Sequence, residues 1–388
     1  MSLTFTHTRY ACYLASFSQA VIVNLAPVFF VIFRDDFHLT FEQLGRLILV
    51  NFLTQLLADF VSIRYADRLG YRLTTCAAMA LNAVGLVLLA LLPGRLSDPY
   101  AALMLATVVY SFGGGICEVV TSPLLDALPG EEKEAAMSLM HSFYCWGQLT
   151  VIALTTLALR LLGLETWRTI ALCWSLLPLT AMLLFTVVPL GRIVPADEQP
   201  PLGRLLRARG IPLAMLLMIA AGASELAISQ WSSYFVQCGL HVPKMLGDLL
   251  GPCMFALLMG TGRLIFGIWG SRIPLRPALL GCSLLGIASY LLTPLAPWPA
   301  LSLVGCALAG LSVSLLWPGT LSLMAAKYPQ GGTALFGLLA VCGDIGCSTG
   351  PWLCGLAADA FGSLHLGLLV GTLFPLAMAL GILRQRRL

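Results

Sequence analysis

The chain has 388 residues, of which 59% are hydrophobic and 10% charged, with a formal net charge of +4. Soluble domains carry about 25% charged residues, and a single water-soluble core stops growing at about 250–300 residues. The composition therefore excludes a water-soluble globular protein, and so small a positive excess points away from a nucleic-acid partner.

A helix that crosses a bilayer needs about 20 mainly apolar residues. Stretches of that kind lie near 10–32, 43–65, 73–93, 99–128, 135–162 and 166–190, then near 210–238, 246–270, 275–295, 297–326, 333–358 and 364–383. The first reads as a spanning helix, because its apolar run continues without a small-residue cleavage site. Between the two sets lies a hydrophilic stretch with Arg192, Asp197, Glu198, Pro200, Pro201, Arg204, Arg207 and Arg209. The predicted fold class is thus all-α and membrane-embedded, with twelve spans in two six-helix bundles, at 1–190 and 210–388, joined by a linker at 191–209.

Ionisable groups inside spans cost about 2.5–3.5 kcal/mol each on insertion scales and usually face an interior cavity. Taken in order, the first helix offers Ser16, Gln19 and Asn24, and the second carries Asn51, Gln55 and Asp59 on one face at four-residue spacing. The fourth holds Glu118 in a run from Gly113 to Pro123; its carboxyl suits either proton or substrate coupling or a structural hydrogen bond. His141, Tyr144, Cys145 and Gln148 share a face of the fifth helix, with Trp146 adjacent. On the seventh, Glu225, Ser229 and Ser232 share a face, and Gln230, Trp231 and Tyr234 lie close by. Amide and carboxyl groups for hydroxyls, with an aromatic face for the C–H side of a ring, are what a sugar requires. Trp231 and Tyr234 also fit an interfacial aromatic belt. Arg263 on the eighth helix and Asp59 on the second precede Gly267 and Ile63 by four residues each, at matching positions, and read as ion-pairing, packing or gating elements. Asp344 sits in a glycine-rich eleventh helix, where substrate contact, a pair with Arg263 and a contact with the second helix are all open.

The twelve cysteines fall without paired spacing, Cys342 and Cys347 included, and read as small buried hydrophobes rather than metal ligands. No HExxH, GxSxG or Gly-Lys-Ser/Thr motif is present, so neither an enzyme nor a cofactor is expected.

Loop charge sets the expected orientation. Arg9, Arg64, Arg68, Arg72, Lys133, Arg192, Arg204, Arg207, Arg209, Arg272, Arg276, Lys327, Arg384, Arg386 and Arg387 gather on one side, fifteen in all. The other side holds six: Arg34, Arg46, Arg95, Arg160, Arg168 and Lys244. Both termini and the linker are expected in the cytoplasm. A repeat supports two related halves: Ile63-Arg-Tyr-Ala-Asp67-Arg68-Leu-Gly70-Tyr-Arg72 and Gly267-Ile-Trp-Gly-Ser-Arg272-Ile-Pro-Leu-Arg276 follow equivalent helices. Parallel repeats of this kind place a substrate site near mid-bilayer between the halves.

This pattern resembles the cytoplasmic signature of the major facilitator superfamily, Gly-x-Leu-Ala-Asp-Arg-x-Gly-Arg-Lys. The first copy keeps Ala66, Asp67, Arg68, Gly70 and Arg72 but has Ile63 at the Gly position; the second keeps Gly267, Arg272 and Arg276 but has Ser271 for Asp. The resemblance implies gating roles for Asp67 and Arg72, whose plainer role is topological. Glu118 with Pro123, the run Leu139-Met-His141-Ser-Phe143-Tyr-Cys-Trp-Gly147 and Glu225-x-x-x-Ser229-x-Trp231 are similar to the fucose–proton symporter-like branch. That branch implies a monomeric, proton-driven carrier of a sugar or similar small solute in a cell membrane of the bacterial inner-membrane type. Two departures stand out: no acid lies between Gln19 and Asn24, and Ser122 replaces an Asn, so Glu118 must act alone or with Glu225. The alternatives are an exporter or facilitator of amphipathic compounds and, in a different class, a non-transporting receptor.

Overall fold

The structure is a computed structural model and describes residues 3–39, 41–130, 133–191, 202–236 and 249–385. Arg192, Asp197, Glu198, Pro200, Pro201, Lys244, Arg386 and Arg387 lie outside the described residues, as do the side chains of Tyr234 and Ser271.

In hydrocarbon, every backbone N–H and C=O must find a partner within the protein, which favours helices. Twelve helices among the described residues are long and apolar enough to span a bilayer. They are α1 (Phe5–Val28), α2 (Arg46–Leu69), α3 (Tyr71–Leu91), α4 (Pro99–Asp126), α5 (Lys133–Leu162) and α6 (Leu164–Val187). After these come α7 (Ile211–Ser232), α8 (Leu250–Trp269), α9 (Leu275–Leu295), α10 (Pro299–Lys327), α11 (Gly332–Ala358) and α12 (Leu364–Arg384). The polarity of α2 is inside out. Leu49, Leu53, Leu57 and Phe60 are all more than half exposed, whereas Asn51, Gln55, Asp59 and Ser62 on the opposite face are buried. A helix with that distribution belongs in lipid.

The chain divides into two compact units, the first drawn from 1–130, 143–198 and 332–337, the second from 131–142, 199–331 and 338–388. The start of α5 thus groups with the second unit, and the first turn of α11 with the first.

Within the first unit α4 is central. Successive helix residues point about 100° apart, so Gly113, Gly114 and Gly115 open three sides of α4 at one level. A Cβ at Gly114 would stand 2.5 Å from Ile22 Cδ1 on α1, and one at Gly115 2.5 Å from the Gln55 carbonyl oxygen on α2. One at Gly113 would collide with Asn82 on α3. Small residues allow this approach where lipid supplies no hydrophobic drive between helices. Within the second unit α7 and α11 meet the same way: Gly222 lies on the Gly343 carbonyl, Gly346 on the Ile219 carbonyl and Gly350 on Ala223.

Prolines mark the helix breaks. Between its segments Pro299–Val313 and Leu316–Lys327, α10 is interrupted at Ser314 and Leu315. Pro318 has no N–H to offer the Ser314 carbonyl, one helical turn back. In α12 the break at Gly371 and Thr372 stands in the same relation to Pro375. A π-helical turn at Leu249–Cys253, containing Pro252, leads into α8.

Candidate functional site

Two buried polar clusters stand out, one in each unit. In the first, Gln19 Nε2 on α1 donates to Gln55 Oε1 on α2 at 2.8 Å, and Gln55 Nε2 donates to Asn51 Oδ1 at 3.1 Å. Ser111 Oγ on α4 closes the chain by donating to the same Asn51 oxygen. All four side chains are buried. The lack of a side chain at Gly114 is what lets Gln19 lie against α4, since a Cβ there would stand 3.0 Å from Gln19 Oε1. That oxygen is buried and without a hydrogen-bond partner. Glu118 lies half-buried on α4, two turns beyond Ser111. Asn24 points away from this chain of amides, donating to the Ala20 carbonyl of its own helix at 2.8 Å.

On α5, Tyr144, Trp146 and Gln148 are half-buried in the first unit, where the helix crosses α1 with Gly147 against Phe17 and Ala20. Phe143 stacks on Tyr13 with ring centroids 4.7 Å apart. His141, two residues before Phe143, belongs to the second unit.

The second cluster is organised by Arg263, which is 2% exposed. Its Nη2 pairs with Glu225 Oε2 at 3.0 Å, its Nε donates to the Ser314 carbonyl at 2.9 Å, and its Nη1 donates to the His141 carbonyl at 3.2 Å. The Ser314 carbonyl is the one that Pro318 leaves without an intrahelical donor. Ser138 Oγ donates to the Arg263 carbonyl at 2.9 Å. One side chain thereby ties α5, α7, α8 and α10, as the planar guanidinium fork allows. Ser229 is half-buried one turn beyond Glu225, and Gln230 is exposed. The Trp231 indole donates to the Pro351 carbonyl on α11 at 2.9 Å. Asp344 is buried on α11, where its carbonyl accepts from Ser348.

The signature residues sort by contact. Asp67 accepts from the Tyr71 hydroxyl at 2.6 Å and from Thr333 Oγ1, at the start of α11, at 2.7 Å; Tyr71 and Thr333 also touch each other. Arg72 donates to the Phe185, Thr186 and Val188 carbonyls at 2.7, 2.7 and 2.9 Å, which caps the end of α6. A cation at a helix C-terminus also meets the favourable end of its dipole. Asp59 is fully buried, and Arg68, Arg272 and Arg276 are exposed. At the first position of the pattern, Ile63 presses on Gly337 of α11, whereas Gly267 receives Leu139 of α5, a would-be Cβ lying 2.9 Å from Leu139 Cβ.

Sequence reasoning flagged Glu225 and Arg263 separately; their pairing required the fold. It placed Gln55 on the Asn51 face without assigning it a role, and it passed over Ser111, Tyr71, Thr333 and Ser314. The signal available for Ser314 was the proline one turn beyond it. No cluster of metal-ligating side chains occurs among the described residues.

Twelve helices among the described residues are long and apolar enough to span a bilayer, and with their buried polar clusters and repeated loop signature they describe a polytopic membrane protein. The Major Facilitator Superfamily model matches residues 12–351, and the chain belongs to that superfamily. It is similar in structure to a major facilitator transporter, FucP, in the outward conformation, with 17% identity, a TM-score of 0.82 and coverage of 97% of this chain and 98% of that one. A variant of the E. coli fucose:proton symporter FucP gives 17% identity and a TM-score of 0.82, covering 99% of each chain. The proton:xylose symporter XylE bound to 6-bromo-6-deoxy-D-glucose gives 13% identity and a TM-score of 0.82, covering 98% of this chain and 95% of that one. No curated protein matches the sequence.

Proposed function

We propose that this transporter moves a small neutral polar solute, a sugar or sugar-like compound, by alternating access coupled to protons through Glu118. The observation that carries the reading is the buried chain Gln19–Gln55–Asn51–Ser111. Uncharged donors and acceptors held inside a span are costly without partners, and they match hydroxyl groups rather than hydrophobic cations. Ser229, Tyr144, His141, Trp146, Gln148, Gln230, Trp231, Asn24 and Asp344 are proposed as further contacts along the solute's route. Asp59, Asp67, Arg68, Arg72, Arg263, Arg272 and Arg276 are proposed gating elements. The fold likeness to two sugar:proton symporters supports the same solute class.

The halves are proposed at 1–190 and 210–388, with a linker at 191–209, both termini in the cytoplasm, a bacterial inner membrane as the setting and a monomer as the working unit.

Two measurements test this. Thermal unfolding of the purified protein is followed with fucose, xylose, nucleosides and hydrophobic cations, because a ligand of the native state raises its melting temperature. Stabilisation by the cations alone would overturn the neutral-solute reading in favour of an amphipathic exporter. Proteoliposome uptake with and without a pH gradient then compares wild type with Glu118→Gln. The variant is expected to lose gradient-driven accumulation, and retention of it removes the proton from Glu118.

A further inference from the structure

Cations gather where α7 begins. Arg204, Arg207 and Arg209 are exposed on the helical turn Leu202–Leu206 and the short link after it, while Leu205 is buried and anchors that turn. Two contacts hold the link against the end of α10. The Tyr328 hydroxyl donates to the Arg209 carbonyl at 2.7 Å, and a Cβ at Gly210 would stand 3.0 Å from Lys327 Nζ. The end of α12 arrives at the same level. Gly381 packs on Leu213 and Leu217 of α7, and the exposed Arg384 follows it by three residues.

No Asp or Glu occurs within 202–216, 320–331 or 376–388. Among the described residues, none of these five cations is paired with a carboxylate. The first turn of α7 has neither an acid nor a side-chain cap, although the positive end of a helix dipole favours negative charge there. The helix end is a poor donor in its own right, because Ile211 N–H goes to the Ala208 carbonyl at 3.1 Å and Pro212 has no N–H. An anion at this place would be held by the cationic side chains. What separates a lipid headgroup from a free anion is the surface beside the charges. Leu216 on α7 and Leu380 and Leu383 on α12 are exposed, within about two helical turns of the arginines.

We infer that the start of α7 is a binding surface for an anionic phospholipid. Its phosphate lies among Arg204, Arg207, Arg209, Lys327 and Arg384, and its chains lie along the exposed leucines of α7 and α12. Cations gathered without counter-charges repel one another, and the headgroup relieves that repulsion. A guanidinium fork meets two phosphate oxygens at once, which suits arginine to this partner. The inference requires neither the proposed solute nor the proton.

The test uses delipidated full-length protein in a neutral detergent and native mass spectrometry. The probes are dioleoylphosphatidylglycerol, dioleoylphosphatidylcholine and inorganic phosphate. The wild type is expected to retain phosphatidylglycerol about tenfold more than phosphatidylcholine, and phosphate at the same concentration is expected not to displace it. A cation beside an anionic membrane surface is worth roughly fivefold in binding, so Arg207→Gln with Lys327→Gln should weaken phosphatidylglycerol retention about twentyfold. Arg95→Gln with Arg160→Gln removes the same charge from exposed positions elsewhere and should change retention less than about twofold. If the first double variant does not fold, Arg204→Gln with Arg207→Gln, on the exposed turn ahead of the span, should give a similar loss. Equal retention of the two lipids, displacement by phosphate, or a control pair that loses as much as the site pair would each overturn the inference. So would a folded site variant that keeps the wild-type retention.

Discussion

The same ten-residue pattern runs across the ends of α2 and α8, yet it builds two different corners. In the first unit the pattern meets the start of α11 through Asp67, Tyr71 and Thr333, a carboxylate shared by two hydroxyls. In the second, the start of α5 is held by Arg263 on the His141 carbonyl, with Ser138 returning a bond to the arginine backbone. Packing at the first pattern position is reversed as well. Ile63 is the knob and Gly337 the hole in one corner, whereas Leu139 is the knob and Gly267 the hole in the other. Duplicated loops therefore preserve a place of contact while its chemistry and its shape drift independently. The fit survives because a hole on either partner will do.

That contrast can be broken by mutation, and the largest effect is expected at the arginine. Arg263→Gln should lower unfolding free energy by about 3–5 kcal/mol, the usual cost of breaking a buried charge pair from one side, measured by denaturant titration in detergent. A loss no greater than that of Asp67→Asn would erase the difference between the corners. Next comes the exchanged knob. Gly337→Leu should cost about 1–3 kcal/mol by overpacking against Ile63, and adding Ile63→Gly should recover most of it. Without that recovery, Ile63 and Gly337 are not a matched pair. The smallest effects belong to the hydroxyls. Tyr71→Phe and Thr333→Val should each cost about 0.5–1.5 kcal/mol, as single hydrogen bonds do. Because both serve Asp67, the double variant should lose less than the two losses added together, and strict additivity would mean that the carboxylate does not link them.

Much of the fold was legible because lipid imposes a simple requirement, a long apolar helix, and the sequence meets it twelve times. The i, i+4 rule also placed Asn51 and Gln55 on one face, where they are bonded at 3.1 Å. What it could not supply was the partner on another helix. Nothing in the spacing of Glu225 or Arg263 says that they meet, nor that Gln19 continues the Gln55 chain through the space left by Gly114. Trp231 carried two readings, a sugar-facing ring and an interfacial belt, and neither foretold that its N–H bonds the Pro351 carbonyl on α11. Side chains of this kind are placed by helix crossings, and crossings depend on which glycines happen to face each other.

The interruption of α10 has an evolutionary consequence. Pro318 removes a donor from its own helix, and Arg263, on another helix, replaces it at 2.9 Å. The order in which these two residues can be exchanged is therefore constrained. Losing the proline first restores an amide N–H to the turn and makes one of the arginine's bonds redundant. Losing the arginine first orphans a carbonyl in the membrane and strands a carboxylate with it. The two positions should be epistatic, with one mutational path passable and the other closed.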